Sequence, residues 1–309
     1  MAEVLDQRKT DLAMTRILLI GTNSFVGRNF IKASKHKEVE EISLYRNKPE
    51  EIDFSPYDVV IHLVAIVHQS RKIDENEYYK VNRDVCLQVA AQAKSAGVKQ
   101  FIFLSTVKVY GEFVPGSEPW HEDSVCFPED PYGKSKYQAE LGLRQMEDAG
   151  FAVSIIRTPL VYGAGVRANM LNLIRLVDKF PILPLANINN HRSFTSAENL
   201  AAFMDRIIEK NASGIFIAMD ETPLSTTALV DLISRKLGKK VLLFKIPDVL
   251  VKLGSLLIPR IFDRLFGSFE IDNRRTLRRI DFKPPLSIEE GITRMVEEYK
   301  LTKLKGRIV

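Results

Sequence analysis

Tyr132 and Lys136 lie four residues apart in the stretch Asp130-Pro131-Tyr132-Gly133-Lys134-Ser135-Lys136. Asp130 is a good helix N-cap and Pro131 a good first helical residue, so the stretch predicts a helix start. Both side chains then share one helix face. A phenol of pKa about 10 is a poor acid or base at neutral pH. An ammonium one turn away favours the phenolate and is expected to bring that pKa toward the working range. Tyr and Lys also recur at this spacing on ordinary surface helices. The residues upstream give the pair its weight.

Those residues follow short apolar runs. Arg16-Ile17-Leu18-Leu19-Ile20 reads as a doubly covered parallel strand. It runs into Gly21-Thr22-Asn23-Ser24-Phe25-Val26-Gly27, and a helix is expected to about Lys37. Strand, glycine turn and helix open a dinucleotide-binding unit, with the helix N-terminus facing the pyrophosphate. Ser24 stands where the middle glycine would be, and its hydroxyl could donate to a phosphate. Glu41 to Tyr45 reads as the second strand, with Glu40 and Glu41 at its start pointing away. Its exit offers Tyr45 and Arg46 where an NAD site wants a carboxylate. Asp58 to Ala65 is a further strand, in which His62 reads as a packed core histidine; His68, beyond its end, is better placed to meet a substrate. Tyr78 to Ala96 is helical and stops at Gly97, and Lys99 to Leu104 is the next strand. Ser105 and Thr106 leave its carboxyl end, where open α/β sheets bind ligands.

Farther on, Phe151 to Ile156 is a strand whose exit contains Pro159, suited to a rigid wall beside a planar ring. Helices are expected at Ala168–Phe180, from about Ser196 to Lys210, from Thr226 to Gly238 and from about Ser287, with a last strand at Gly214–Ala218. The 309 residues, 45% hydrophobic and 27% charged, suffice for one large domain or two intimate ones. The net charge of +5 is carried by the segment from Val251, where 13 Lys/Arg face 8 Asp/Glu. That suits a phosphorylated small molecule or an anionic surface, and no nucleic-acid signature accompanies it. Cys86 and Cys126 are the only cysteines; they read as reduced thiols of a cytoplasmic protein, with no metal cluster in prospect. The apolar run Ile246–Phe269 is broken by Asp248, Lys252, Arg260, Asp263 and Arg264 and is not expected to span a bilayer.

From Met14 onward the chain resembles the extended short-chain dehydrogenase/reductases of the NAD-dependent epimerase/dehydratase family. The resemblance rests on Gly21-x-x-Ser24-x-x-Gly27, His62-Leu63-Val64-Ala65, Ser105-Thr106, Tyr132-x-x-x-Lys136 and Arg157-x-Pro159-x-x-Tyr162-Gly163. It departs from the pattern at Ser24, for glycine, and Val64, for alanine. Three stretches are similar to bacterial UDP-4-keto-6-deoxy-N-acetylhexosamine 4-reductases, which serve surface polysaccharide synthesis: Ser105 to Val109, Gly165 to Asn169, and Gly267 to Asp272. The resemblance implies an α/β Rossmann-type fold, with a doubly wound parallel sheet over residues 14–163 and a chain return at about 193–219. Residues 164–309 would form a smaller, mostly helical domain for a UDP-sugar, and residues 1–13 an extension.

It also implies roles. Tyr132 would be the acid/base, Lys136 its activator and a cofactor-ribose donor, and Thr106 the hydroxyl on the substrate oxygen. Lys108, Asn169 and Arg192 would meet the substrate, the arginine fork suiting a diphosphate. Gly21, Asn23, Ser24, Phe25, Gly27, Arg46, Asp53, Phe54, Leu63, Val64, Ala65 and Pro159 would line the cofactor, with NADP(H) favoured over NAD(H) through Arg46. Four activities are weighed. A 4-ketoreductase comes first and a 4-epimerase second. A 4,6-dehydratase is set aside because Val107 and Lys108 replace its Asp-Glu pair. A non-catalytic cofactor sensor is opposed by the presence of both Tyr132 and Lys136. The C4 stereochemistry and any homodimer stay open.

Overall fold

The structure is a computed structural model that describes residues 15–67, 73–111, 118–247, 249, 251, 256–257, 262 and 265–306. Its centre is a six-stranded sheet built from β1 (Ile17–Ile20), β2 (Val39–Ile42), β3 (Val59–His62), β4 (Gln100–Thr106), β5 (Ala152–Thr158) and, later in the chain, a strand at Gly214–Ile217. The order is β2-β1-β3-β4-β5 and then that last strand, and every pairing is parallel. Because β1 is flanked by β2 and β3, the chain leaves it in opposite directions. The crevice at their carboxyl ends is the topological switch point where such sheets bind ligands.

Alternation along these strands feeds two cores. Leu18, Ile20, Val60, Phe101, Phe103, Val153 and Ile155 face one side. There they meet Cys86, Val89, Ala90 and Ala93 of one helix and Ala139 and Leu143 of another. Ile17, Leu19, Ile61, Ile102 and Ile156 face the other side. They pack on Phe30 of α1 (Phe25–Ala33) and on Leu200, Phe203, Met204 and Ile207 of a later helix at Ala197–Glu209. A strand covered on both faces reads as an unbroken apolar run, which is what Ile17–Ile20 is. His62 belongs to this interior: it is fully buried between the rings of Phe101 and Phe103, at 6.1 and 6.2 Å. Burial, reinforced by the nearby Lys136 charge, holds its pKa down at about 3, so it is a neutral core residue.

The first helical layer beyond β3 is continuous but not uniform. Residues Glu75–Tyr79 (α2) run through a π turn at Lys80–Val85 into α3, Cys86–Ser95. Next comes α4, Pro131–Met146, capped by the Asp130 carboxylate on the Gly133 N–H at 2.7 Å. A separate apolar cluster gathers α5 (Ala168–Lys179), α7 (Thr226–Leu237) and α9 (Ile288–Leu304) through Met170, Ile174, Leu229, Val230, Met295 and Val296. Helix α6 is Ala197–Glu209, and α8 is the short Arg274–Ile280.

Several boundaries differ from the sequence reading. Helix α1 stops at Ala33 rather than Lys37, because Ser34 turns its hydroxyl onto Asp205 (2.6 Å) and ends the helix. Strand β2 is Val39–Ile42, so Tyr45 and Arg46 lie beyond it in an exposed turn. Strand β4 runs on to Thr106, which pairs with Thr158, so Ser105 and Thr106 belong to the strand rather than its exit. Short strands at Ile182–Leu183 and Leu242–Leu243 pair inside stretches expected to be loop or helix, so Gly214–Ile217 is not the last strand. No helix of the described residues is long and apolar enough to cross a membrane. His68, residues 1–13 and much of the 246–269 run lie outside the described residues.

Candidate active site

Thr106, Tyr132 and Lys136 converge at the carboxyl end of β4. The Thr106 hydroxyl oxygen accepts from the Lys108 N–H at 3.2 Å and hydrogen-bonds the Tyr132 phenol. Burial pushes the phenol up to about 12, while the Thr106 bond pulls it the other way. The expected lowering of Tyr132 by Lys136 is therefore not what the protein alone provides. Desolvation and the Asp130 charge raise the phenol and only the Thr106 bond lowers it, so Tyr132 rests as a neutral phenol.

Lys136 lies one turn along α4, 1% exposed, with Nζ 3.7 Å from the centroid of the Phe103 ring. Burial draws its pKa down to about 8, against the opposing influence of Cys86 and Glu140. Its ammonium has no hydrogen-bond acceptor among the described residues. A buried ammonium of this kind calls for an oxygen from outside the chain. A ribose hydroxyl of a nicotinamide cofactor is such a group.

The glycine turn fits the same cofactor. Gly21 has φ +123°, and a Cβ there would meet Val64 Cγ2 at 3.3 Å and the Leu63 carbonyl carbon at 3.5 Å. The chain after β3 thus closes over the turn, bringing Leu63 and Val64 to it. Asn23 is left-handed, with φ 56°. Ser24 does not simply replace a phosphate-facing glycine: its hydroxyl caps α1, accepting from the Gly27 N–H at 2.9 Å. Phe25 opens the helix. Pro159 is buried where β5 ends.

Other expected contacts come out differently. Asp53 is exposed and spends its carboxylate on Ser55, accepting from its N–H at 3.0 Å and its hydroxyl at 2.7 Å. The Phe54 ring packs into the core beside Ile52 and Val60, so only its backbone could face a cofactor. Glu41 does not point away. Its Oε1 is buried beside Gly27 without a hydrogen-bond partner among the described residues. Lys108 reaches Asp130 at 3.9 Å and is 43% exposed at the mouth of the site. Asn169 is exposed in the first turn of α5. Arg192 sits between Leu224 and Phe269 and donates to the Gly267 carbonyl at 2.9 Å.

The sequence reading missed Asn82. Fully buried on the π turn, it donates to the Ile66 carbonyl (3.0 Å) and to the Ser135 hydroxyl (3.0 Å), and its oxygen accepts from the Ile66 N–H (2.7 Å). It ties the chain following Ala65 to the residue beside Lys136. Its one signal in the sequence is an asparagine inside a helical run, where that residue is disfavoured; a π turn often accompanies such a site.

Residues 17–217 match the NAD dependent epimerase/dehydratase family. The chain belongs to that family. It is 32% identical to a UDP-glucose 4-epimerase of Vibrio cholerae over 92% of this chain and 95% of that protein. Among solved structures it superposes on a UDP-glucuronic acid 4-epimerase from Bacillus cereus in complex with NAD (TM-score 0.72, 20% identity, 93% of this chain and 99% of the other). It also superposes on RMD from Pseudomonas aeruginosa complexed with NADPH (TM-score 0.74, 16% identity, 92% and 100%). This member of the family is accordingly an enzyme acting on a nucleotide sugar with a nicotinamide cofactor.

Proposed function

We propose that the enzyme is a 4-epimerase of a UDP-hexose or UDP-N-acetylhexosamine. The observation that carries this reading is the Thr106–Tyr132 hydrogen bond beside a buried Lys136 that has no acceptor among the described residues. The near full-length likeness to the Vibrio cholerae epimerase supports the outcome at C4.

A bound nicotinamide cofactor would supply the hydride acceptor and donor for C4 of the sugar. Tyr132 first releases its own proton to solvent; as the phenolate it takes the proton from the C4 hydroxyl, and as the phenol it gives that proton back on return. Thr106 donates to the same oxygen and holds it where charge develops. Lys136 would hold the ribose of the cofactor, and its charge favours the phenolate form in which Tyr132 acts as base. Arg192, supported from the Gly267 carbonyl, and Asn169 bind the UDP moiety, so residues 164–309 form the substrate domain.

A second reading keeps the same residues and makes the enzyme a 4-ketoreductase. Its support lies at the adenosine end, where Tyr45 is 96% exposed and Arg46 is also exposed, with no carboxylate among residues 43–48 that follow β2 directly. A loosely held cofactor that exchanges at each turnover suits a reductase, and Arg46 with Lys48 suits the 2′-phosphate of NADP(H). The purified protein decides between them. Interconversion of UDP-glucose with UDP-galactose, or of their N-acetyl analogues, without net change in added cofactor supports the epimerase. Loss of NADPH absorbance with a UDP-4-keto-6-deoxy-N-acetylhexosamine, and no interconversion, supports the reductase. Neither activity overturns both.

A further inference from the structure

Glu140 lies one turn beyond Lys136 on α4, 1% exposed. Its carboxylate is fully engaged. Arg157 donates from Nη2 at 2.6 Å and from Nε at 3.2 Å to both oxygens, and the Ser105 hydroxyl donates to Oε1. Arg157 is itself 2% exposed; its guanidinium lies 4.8 Å from the Tyr110 ring centroid, and Tyr110 stacks on Trp120. These contacts join three chain segments. Ser105 is the neighbour of Thr106 on β4, Arg157 comes two residues before Pro159 on β5, and Glu140 shares its helix face with Tyr132 and Lys136.

We propose that Glu140 is a positioning residue of the reaction: clamped by Arg157 and Ser105, its carboxylate supplies the counter-charge of Lys136 and fixes α4 against the exits of β4 and β5. The proposal rests on the reading of Tyr132 and Lys136 given above. The charges around Lys136 are few. His62 on β3 is neutral, Cys86 on α3 is a buried thiol pushed up to about 12, and Tyr132 on its own helix is a phenol. Glu140 is thus the one carboxylate among the groups that act on Lys136. Around Glu140 stand Arg157, Ser105, Tyr110 and Cys126. Burial opposes the Arg157 charge, and Glu140 more than offsets that, raising it. If the carboxylate is lost while Arg157 stays, an uncompensated guanidinium remains in the interior and Lys136 loses its counter-charge together.

The test reads Lys136 directly. Protein carrying [ε-13C]lysine is titrated by NMR, and the Lys136 resonance is assigned with Lys136→Arg. The midpoint in wild type is expected near 8. Glu140→Gln is expected to lower it by about one unit or more, the size of shift that one close charge exerts. The double variant Glu140→Gln/Arg157→Met removes both charges, so it folds without an orphan. It is expected to give a smaller fall. A merely structural role would lower the melting temperature and leave the midpoint in place. An unmoved midpoint in the double variant, or in a folded Glu140→Gln, overturns the proposal. The titration needs no substrate, so a wild type inactive on UDP-sugars would defeat the functional reading while Glu140 is still judged.

Discussion

Gly133 lies directly against the carbonyl oxygen of Lys108: a Cβ built on the glycine would sit 2.8 Å from it and 3.2 Å from Pro128 Cβ. The missing side chain lets the turn after β4 rest on the first turn of α4, which is how Thr106 comes to touch Tyr132. Gly133→Ala is expected to displace that turn and to cost about 1–3 kcal/mol, the usual range for overpacking. Thermal melts should show the loss, and kcat should fall about tenfold or more as the Thr106–Tyr132 bond lengthens. A variant with wild-type kcat would show that the close approach is not needed for the chemistry.

Tyr132→Phe is expected to lower kcat by about 10²–10⁴-fold, the range for losing a general acid or base. Cofactor binding, followed by nicotinamide fluorescence, should survive. Activity within a few-fold of wild type would remove Tyr132 from the reaction.

Lys136 links activity to pH and to stability. Its unfolded value is 10.5 and its folded value about 8. Between the two, the unfolded chain holds a proton that the folded protein has released, so stability should rise with pH across that window. Below about 8 the full cost of burying the ammonium applies, on the order of 3 kcal/mol for the shift in pKa. Lys136→Met should therefore raise the melting temperature at pH 7 while abolishing turnover. In wild type, the activity that needs the ammonium should decline as pH rises through about 8. A variant that melts lower, or one that keeps activity, contradicts this account.

Arg192→Ala should raise KM for the UDP-sugar more than it lowers kcat, because the guanidinium acts in binding. The bridge pairs with Leu224 and Phe269 are made by the backbone and survive the substitution. Steady-state kinetics with an unchanged KM would show that the diphosphate is held elsewhere.

Arg46→Asp tests the cofactor. A charge-assisted contact with the 2′-phosphate, worth roughly 1.5–3 kcal/mol, corresponds to about a ten- to a hundredfold preference. The variant is expected to lose that preference for NADPH over NADH in kcat/KM. Equal use of both by wild type would show that this exposed turn does not set the choice.

What the sequence determined is what short-range chemistry determines. Asp130 and Pro131 start α4 by local capping, and the four-residue spacing alone puts Lys136 on the face of Tyr132. The unbroken apolar run Ile17–Ile20 marks a strand covered on both sides, and the glycine turn after it marks the nucleotide end of the sheet. The packed state of His62 was equally legible, since a histidine inside such a run has nowhere to go but the core. The tertiary structure decided whatever depends on residues far apart in the chain. Ser105, Glu140 and Arg157 meet only because β4 and β5 pair in register and α4 packs across them. Asn82 reaches Ile66 and Ser135 only through a π turn, whose one trace in the sequence is an asparagine inside a helical run. Asp205 ends α1 from the far side of the fold. Desolvation, which pushes Tyr132 up to about 12 and draws Lys136 down to about 8, is a property of the assembled interior. The spacing of the two side chains was local; the dielectric they sit in was not.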